Sequence, residues 1–176
     1  IAKIAGIKMC ESYNYQYGTN YKCLMPTNTF GINDKYNALN SHFIPSLIKK
    51  IYKIEKSKKN IITLWGDGTP KREIIYVDDI ADACIYFMNK KTSHSLINIG
   101  TGKEDTIKGI AKLFLKTLLP DRKIRIRFDK KKPNGIKRKV LDVSLARKYG
   151  WIAKNDIKTA IKYTYKNFKE LKAYSK

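Results

Sequence analysis

The sequence predicts an α/β protein, and three observations carry that prediction. Stretches of helical spacing alternate with short β-rich runs, turn residues separate the two kinds, and no segment repeats another. At 176 residues, 43% of them hydrophobic and 30% charged, the chain holds enough apolar material for one sizeable core.

The first residues, Ile1 to Glu11, run at helical spacing, and Gly18 stands where a glycine would end that helix. No Ser, Thr, Asp or Asn precedes it as a cap, so further residues are expected upstream. Residues 21–25 read as a short buried strand halted by Pro26, followed by a polar loop to about residue 40. Ser41 is expected to cap a helix over 42–56. Residues 61–65 form a strand, Gly66-Asp67-Gly68-Thr69-Pro70 a turn, and 72–77 a second strand. That strand leads to Asp78 and Asp79 in the first turn of a helix, where carboxylates complement the positive helix end. Its apolar positions are Ile80, Ala83, Cys84 and Phe87. Residues 96–100 form a strand, and Thr106 caps a helix over 107–118. Residues 123–128 alternate, with Ile124, Ile126 and Phe128 on one face. Asp142 is expected to cap a short helix to Tyr149, and Asp156 to start a last helix ending near Leu171.

The net charge of +22 invites a nucleic-acid reading, because Lys and Arg displace counterions from phosphates. Lysine outnumbers arginine 31 to 6 and is spread over every segment, without a zinc knuckle, an RNP-like aromatic motif or a basic arm. The balance favours no specific nucleic-acid partner and suits an anionic small molecule equally well. No apolar run approaches the roughly 18 residues of a membrane span, so no membrane partner is expected. Cys10, Cys23 and Cys84 are odd in number and widely spaced, which favours reduced, mostly buried thiols in a cytosolic protein. No cluster of His, Cys, Asp or Glu has the spacing of metal ligands. Gly66-Asp67-Gly68 and Gly100-Thr101-Gly102 lack the glycine spacing and following helix of a dinucleotide loop, and read as turns.

The order of short motifs is more specific. Ile-Ala-Lys-Ile-Ala-Gly opens the chain, Met-Pro-Thr-Asn stands at 25–28 and Asn-Ser-His at 40–42. Trp65-Gly66-Asp67-Gly68-Thr69-Pro70-Lys71-Arg72-Glu73 follows, then Val77-Asp78-Asp79-Ile80-Ala81 and Asn98-Ile99-Gly100-Thr101-Gly102. Lys132-Pro133-Asn134-Gly135, Arg138-Lys139 and Leu141-Asp142-Val143 complete the series. Together these resemble the GDP-L-fucose synthases, extended short-chain dehydrogenases/reductases, over essentially the whole chain.

The resemblance implies the C-terminal part of a Rossmann-type enzyme plus its smaller α/β substrate-binding domain. Residues 1–29 would end the NADP-binding domain, and 30–176 would be mainly the substrate domain, with about 73–100 returning to the first. It implies NADPH-dependent conversion of GDP-4-dehydro-6-deoxy-D-mannose to GDP-L-fucose, with NADP(H) as cofactor, a GDP-sugar as substrate and a homodimer for the complete enzyme. The family's catalytic tyrosine would lie one helical turn before Lys3, outside the chain, as would the glycine-rich loop and the cysteine of epimerisation. The chain alone is therefore expected to be inactive and to leave an apolar face uncovered. Two alternatives stand beside this reading: a relative acting on another nucleotide sugar, and a non-catalytic basic binding fragment.

Residue by residue, the resemblance implies that Lys3 lowers the pKa of that tyrosine and holds the nicotinamide ribose. Taken alone, Lys3 would be one more solvated lysine. His42 would be the epimerisation acid and touch the cofactor, since inversion beside a ketone needs a proton donor of near-neutral pKa. Pro26, Thr27, Asn28 and Thr29 match the cofactor-contacting segment. Lys50, Trp65, Arg72, Asn134 and Lys139 match substrate-binding positions: Arg72 to grip phosphate, Trp65 as an aromatic wall. Two of them depart from the family pattern. Lys50 replaces an arginine and Asn134 an aspartate, which bears on nucleotide preference. His94 has no such support and reads as a loop residue.

Overall fold

The computed structural model describes residues 1–36 and 42–174, with only the backbone of Tyr174. Fourteen elements follow in order among the described residues: α1 (Ala2–Tyr17), β1 (Cys23–Pro26), β2 (Asn28–Phe30), α2 (Phe43–Glu55), β3 (Ile61–Trp65), β4 (Lys71–Tyr76), α3 (Val77–Asn89), β5 (Leu96–Ile99), β6 (Glu104–Thr106), α4 (Ile107–Leu118), β7 (Arg125–Asp129), β8 (Arg138–Lys139), α5 (Ser144–Lys148) and α6 (Ile157–Tyr174). The predicted α/β class is the one observed.

The strands form three small sheets among the described residues. β1 runs parallel to β5, and β3 runs parallel to β7. β4 is the hub of the third: parallel to β2 and β8, antiparallel to β6.

Periodicity explains the main helices. In α2 the buried residues Ile44, Leu47, Ile48, Ile51 and Ile54 recur every third or fourth position, and Pro45 sits in the first turn, where its missing N–H costs nothing. Residues 40 and 41 lie outside the described set, so the expected Ser41 cap is not assessed; the residue before α2 is His42, in extended conformation. α4 is capped as expected, with Thr106 Oγ1 accepting from the N–H of Gly109 at 2.9 Å. Asp156 Oδ2 accepts from both the N–H and the hydroxyl of Thr159 at 2.8 Å, opening α6. Gly18 ends α1 in the left-handed region (φ 63°), where a side chain would be strained.

Two apolar clusters result. The larger gathers α2, α4 and α6 over β3, with Phe30 meeting Phe114 edge-on at 5.8 Å. The smaller joins Ile75, Ala83, Phe87, Ile97, Ile99, Ala146 and Trp151. Two carboxylates, the half-exposed Asp82 and the buried Asp79, tie the second cluster to its surroundings: Asp82 accepts from the Trp151 indole N–H (2.8 Å), and Asp79 from Lys154 N (2.8 Å), Asn155 N (3.2 Å) and Asn155 Nδ2 (2.9 Å).

Several expectations are corrected. Pro26 belongs to β1 instead of halting it, and the stretch read as a loop after it contains β2. The strand predicted over 123–128 starts at Arg125, and the one over 72–77 yields Val77 to α3. The cysteines are not buried: Cys10 and Cys23 are intermediate and Cys84 is exposed. The inward side of α3 is set by Asp79, Ala83 and Phe87, and Cys84 lies beyond it. Individual apolar side chains are exposed on α1 and α3. No residue of α1 is buried, and Ile4 and Met9 are exposed along it, as are Ile85 and Met88 on α3.

Candidate functional site

β3 and β4 bring the predicted substrate residues together. Trp65 ends β3 with its indole 63% exposed, and the ammonium of Lys132 lies 5.5 Å above the ring centroid. Lys50 reaches from α2 to β3, donating from Nζ to Thr63 O at 2.8 Å, two residues before Trp65. Burial pushes the Lys50 ammonium down from its ordinary value. Arg127 Nε also meets Thr63, at its hydroxyl (3.3 Å).

After Trp65 the chain turns through Gly66 and Gly68, both at positive φ. Asn134 closes on this turn: its Oδ1 accepts from Asp67 N at 2.7 Å and its Nδ2 donates to Asp67 Oδ2 at 2.9 Å. The next residue, Gly135, lies against the guanidinium of Arg72. Arg72 donates from Nη1 to Lys71 O at 2.7 Å and stands in register with Lys139 across the β4–β8 pair. Asn134 thus meets the turn that follows Trp65, Arg72 adjoins Gly135 and pairs with Lys139, and Lys50 reaches the backbone of β3.

The segment matched to the cofactor adjoins the same hub. Asn28 donates from Nδ2 to the carbonyl of Glu73 at 2.7 Å, and β2 pairs with β4 in register Asn28 to Ile74. Thr27, 6% exposed, has a buried hydroxyl with no hydrogen-bond partner among the described residues. Such an orphaned group is costly unless something polar meets it, so the segment fits a polar ligand.

Lys3 and His42 are exposed, and no hydrogen bond or ion pair joins either side chain to the predicted substrate residues among the described residues. His42 has a neighbour that sequence reasoning missed. Burial raises the Asp34 carboxyl above its ordinary value, opposed by a hydrogen bond from Lys35 N–H (2.7 Å) and by the charge of His42.

A second missed residue is Glu73, which is fully buried. Its Oε1 accepts from Thr101 N (2.6 Å), Gly102 N (2.8 Å) and Thr101 Oγ1 (3.3 Å), and its Oε2 accepts from Leu141 N (3.0 Å). It therefore fixes the loop after β5 and the chain leaving β8, on either side of Arg72 and Lys139. A signal was available: alternation along Glu73-Ile74-Ile75 puts the carboxylate on the side of Ile75, and a buried charge demands donors. A cavity of about 570 Å³ opens beside β4, between Leu113 of α4 and Ala146 of α5, and Arg72 is the one predicted site residue on its wall.

Comparison with known proteins places the chain. The family model described as "NAD dependent epimerase/dehydratase family" matches residues 1–100. The chain is 40% identical over 179 aligned residues to the GDP-L-fucose synthase of Escherichia coli K12, covering 97% of this chain and 55% of that protein. It is 37% identical over 170 residues to the GDP-L-colitose synthase of Yersinia pseudotuberculosis, covering 96% and 54%. Among solved structures, the GDP-mannoheptose C4 reductase MlghC of Campylobacter jejuni, with NADP bound, superposes with a TM-score of 0.80 at 29% identity, over 96% of this chain and 58% of that one. The chain spans about half the length of these relatives.

Proposed function

Because the chain belongs to the NAD-dependent epimerase/dehydratase family, we propose that it supplies the sugar-nucleotide site of an enzyme converting GDP-4-dehydro-6-deoxy-D-mannose to GDP-L-fucose with NADPH. The observation that carries this reading is the meeting of Asn134 with the turn after Trp65, with Arg72 against the next residue, Gly135, and in register with Lys139. In this reading residues 1–29 and about 73–100 complete the cofactor-binding domain, and the remainder is mainly the substrate domain.

Each residue then has a task. Arg72 offers a planar fork of donors to the diphosphate, and Lys139 beside it adds a point charge. Trp65 gives the nucleotide a flat apolar wall, from which the Lys132 ammonium can shift aside. Pro26, Thr27, Asn28 and Thr29 would hold NADP(H), the Thr27 hydroxyl gaining the partner it lacks in the chain alone. When bound, NADPH supplies hydride to the sugar's C4. Lys3 would lower the pKa of a tyrosine one turn before it and steady the nicotinamide ribose. His42 would return a proton to the sugar beside the ketone, with Asp34 as its charged neighbour, and so invert C3 and C5.

The assignment of His42 is tested in the full-length enzyme. His42→Gln should lower turnover of the keto sugar by about 10²–10⁴-fold, with GDP affinity unchanged. Full turnover by that variant would remove the role.

A second reading is favoured by one observation. The Lys50 ammonium donates to Thr63 O and the Asn134 amide pairs with Asp67, so both departures from the family pattern make contacts within the chain. A relative using another nucleotide sugar is therefore retained. Competition between GDP and UDP separates the two, and a preference for UDP would remove the fucose assignment.

A further inference from the structure

We propose that Asp67 and Asn134 form a clasp holding the 130–135 loop against the Trp65 strand, and that position 134 governs nucleotide affinity through this clasp rather than by touching the nucleotide. The affinity half of the proposal rests on the reading that a GDP-sugar binds at Trp65 and Arg72. Asp67 is matched to no substrate-binding position, and Asn134 takes a positioning role in place of the contacting one expected from sequence.

The geometry leaves little freedom at either residue. Asp67 Oδ1 is taken by Thr69, which donates from N (2.9 Å) and Oγ1 (2.7 Å). Its Oδ2 is left to the Asn134 amide at 2.9 Å. Asn134 meets a donor with its oxygen and an acceptor with its nitrogen, so only one orientation of the amide satisfies both. Gly66 allows the approach: at φ 77°, its missing side chain would occupy the space of Asn134 Oδ1. Flanking the clasp, Lys132 lies over the indole and Gly135 lies against the Arg72 guanidinium. Releasing the loop would thus disturb both walls of the proposed nucleotide slot.

The same geometry couples the identities of the two positions. An aspartate at 134 could still accept from the N–H of residue 67, but its second oxygen would face Asp67 Oδ2 across 2.9 Å with no proton between them. In this chain the Thr69 donors and the Asn134 amide hold the Asp67 carboxyl down at about 2, and an aspartate at 134 would replace one of those donors by a repelling charge. With asparagine at 67, aspartate at 134 becomes acceptable: Oδ1 of residue 67 still accepts from Thr69, and its new Nδ2 donates to the carboxylate. Every hydrogen bond survives with one donor reversed.

The test compares Asn134→Asp with the double variant Asp67→Asn/Asn134→Asp in the 176-residue chain. GDP affinity is read by titration, and acrylamide quenching reads the exposure of Trp65. Trp151, only 1% exposed, contributes little to quenching. Asn134→Asp should weaken GDP about tenfold and increase quenching, and the double variant should restore affinity to within about threefold, as lost and regained hydrogen bonds to a charge would do. A direct contact from Asn134 to the nucleotide would not be rescued by a change at 67. Unaltered affinity in Asn134→Asp, or failure of the rescue, overturns the proposal. If the wild-type chain binds no GDP, the proposed function falls instead. The clasp is then decided by quenching alone, where a rise reversed in the double variant supports it and an unchanged signal overturns it.

Discussion

Replacing Glu73 by alanine should destabilise the chain by about 3–5 kcal/mol, since a fully buried carboxylate that accepts from three backbone N–H groups is lost. Those groups belong to Thr101, Gly102 and Leu141, on two segments that this carboxylate joins. Glu73→Gln is the sharper comparison. Its amide oxygen can still serve Thr101 and Gly102, but its nitrogen would turn a donor toward the N–H of Leu141. It should cost less than alanine and more than a surface change. Urea unfolding of the three proteins measures the order, and equal stability of Glu73→Ala and wild type would show that the carboxylate is dispensable. The effect matters for function because Arg72 precedes Glu73 on β4, and the chain it fixes at Leu141 leaves the strand carrying Lys139.

Arg72→Met should weaken GDP binding by about 10–100-fold, the range expected when a charged group loses hydrogen bonds worth about 1.5–3 kcal/mol. The fold should hardly change. The bond from Arg72 Nη1 goes to the adjacent carbonyl of Lys71, and methionine keeps an unbranched apolar side chain at this position. The loss should shrink as salt is raised, because a phosphate contact at an open site is screened. Isothermal titration at two ionic strengths reads both effects. Undiminished affinity in Arg72→Met would place the phosphates elsewhere.

Much of the fold was legible because its larger pieces carry their own pattern. The α2 stripe of Ile44, Leu47, Ile48, Ile51 and Ile54, the Thr106 cap and the acidic start of α3 can each be read without knowing what they pack against. The missed strands cannot. Asn28–Phe30, Glu104–Thr106 and Arg138–Lys139 are two or three residues long, two of them highly charged, and they are extended because β4 offers them a partner. Pro26 reads as a stop in sequence, yet at the last position of β1 its missing N–H breaks nothing, and the next bond is made by Thr27 N to Ile99 O (3.0 Å).

The site divides in the same way. Trp65, Arg72 and Lys139 were found through short motifs whose residue types suit a diphosphate and an aromatic base. The clasp was not, since Asp67 and Asn134 lie far apart in sequence and only the fold reveals that one amide answers one carboxylate. Glu73 stood inside a recognised motif without a role, because its three N–H donors come from distant segments. Asp34 went unnoticed for a similar reason: an isolated acid in a polar stretch acquires meaning only from burial and from His42 nearby.

The two indoles allow a direct measurement of whether a guanosine diphosphate binds where Trp65 and Arg72 meet. Trp65 is exposed at the end of β3, whereas the Trp151 indole N–H is buried against Asp82 and its residue lines the 570 Å³ cavity beside β4. In a two-dimensional amide NMR titration with GDP, the Trp65 indole N–H and the backbone signals of Arg72, Gly135 and Lys139 should move together and saturate, with the Trp151 indole N–H fixed. Movement of Trp151 with Trp65 unchanged would put the nucleotide in the cavity and contradict the site described.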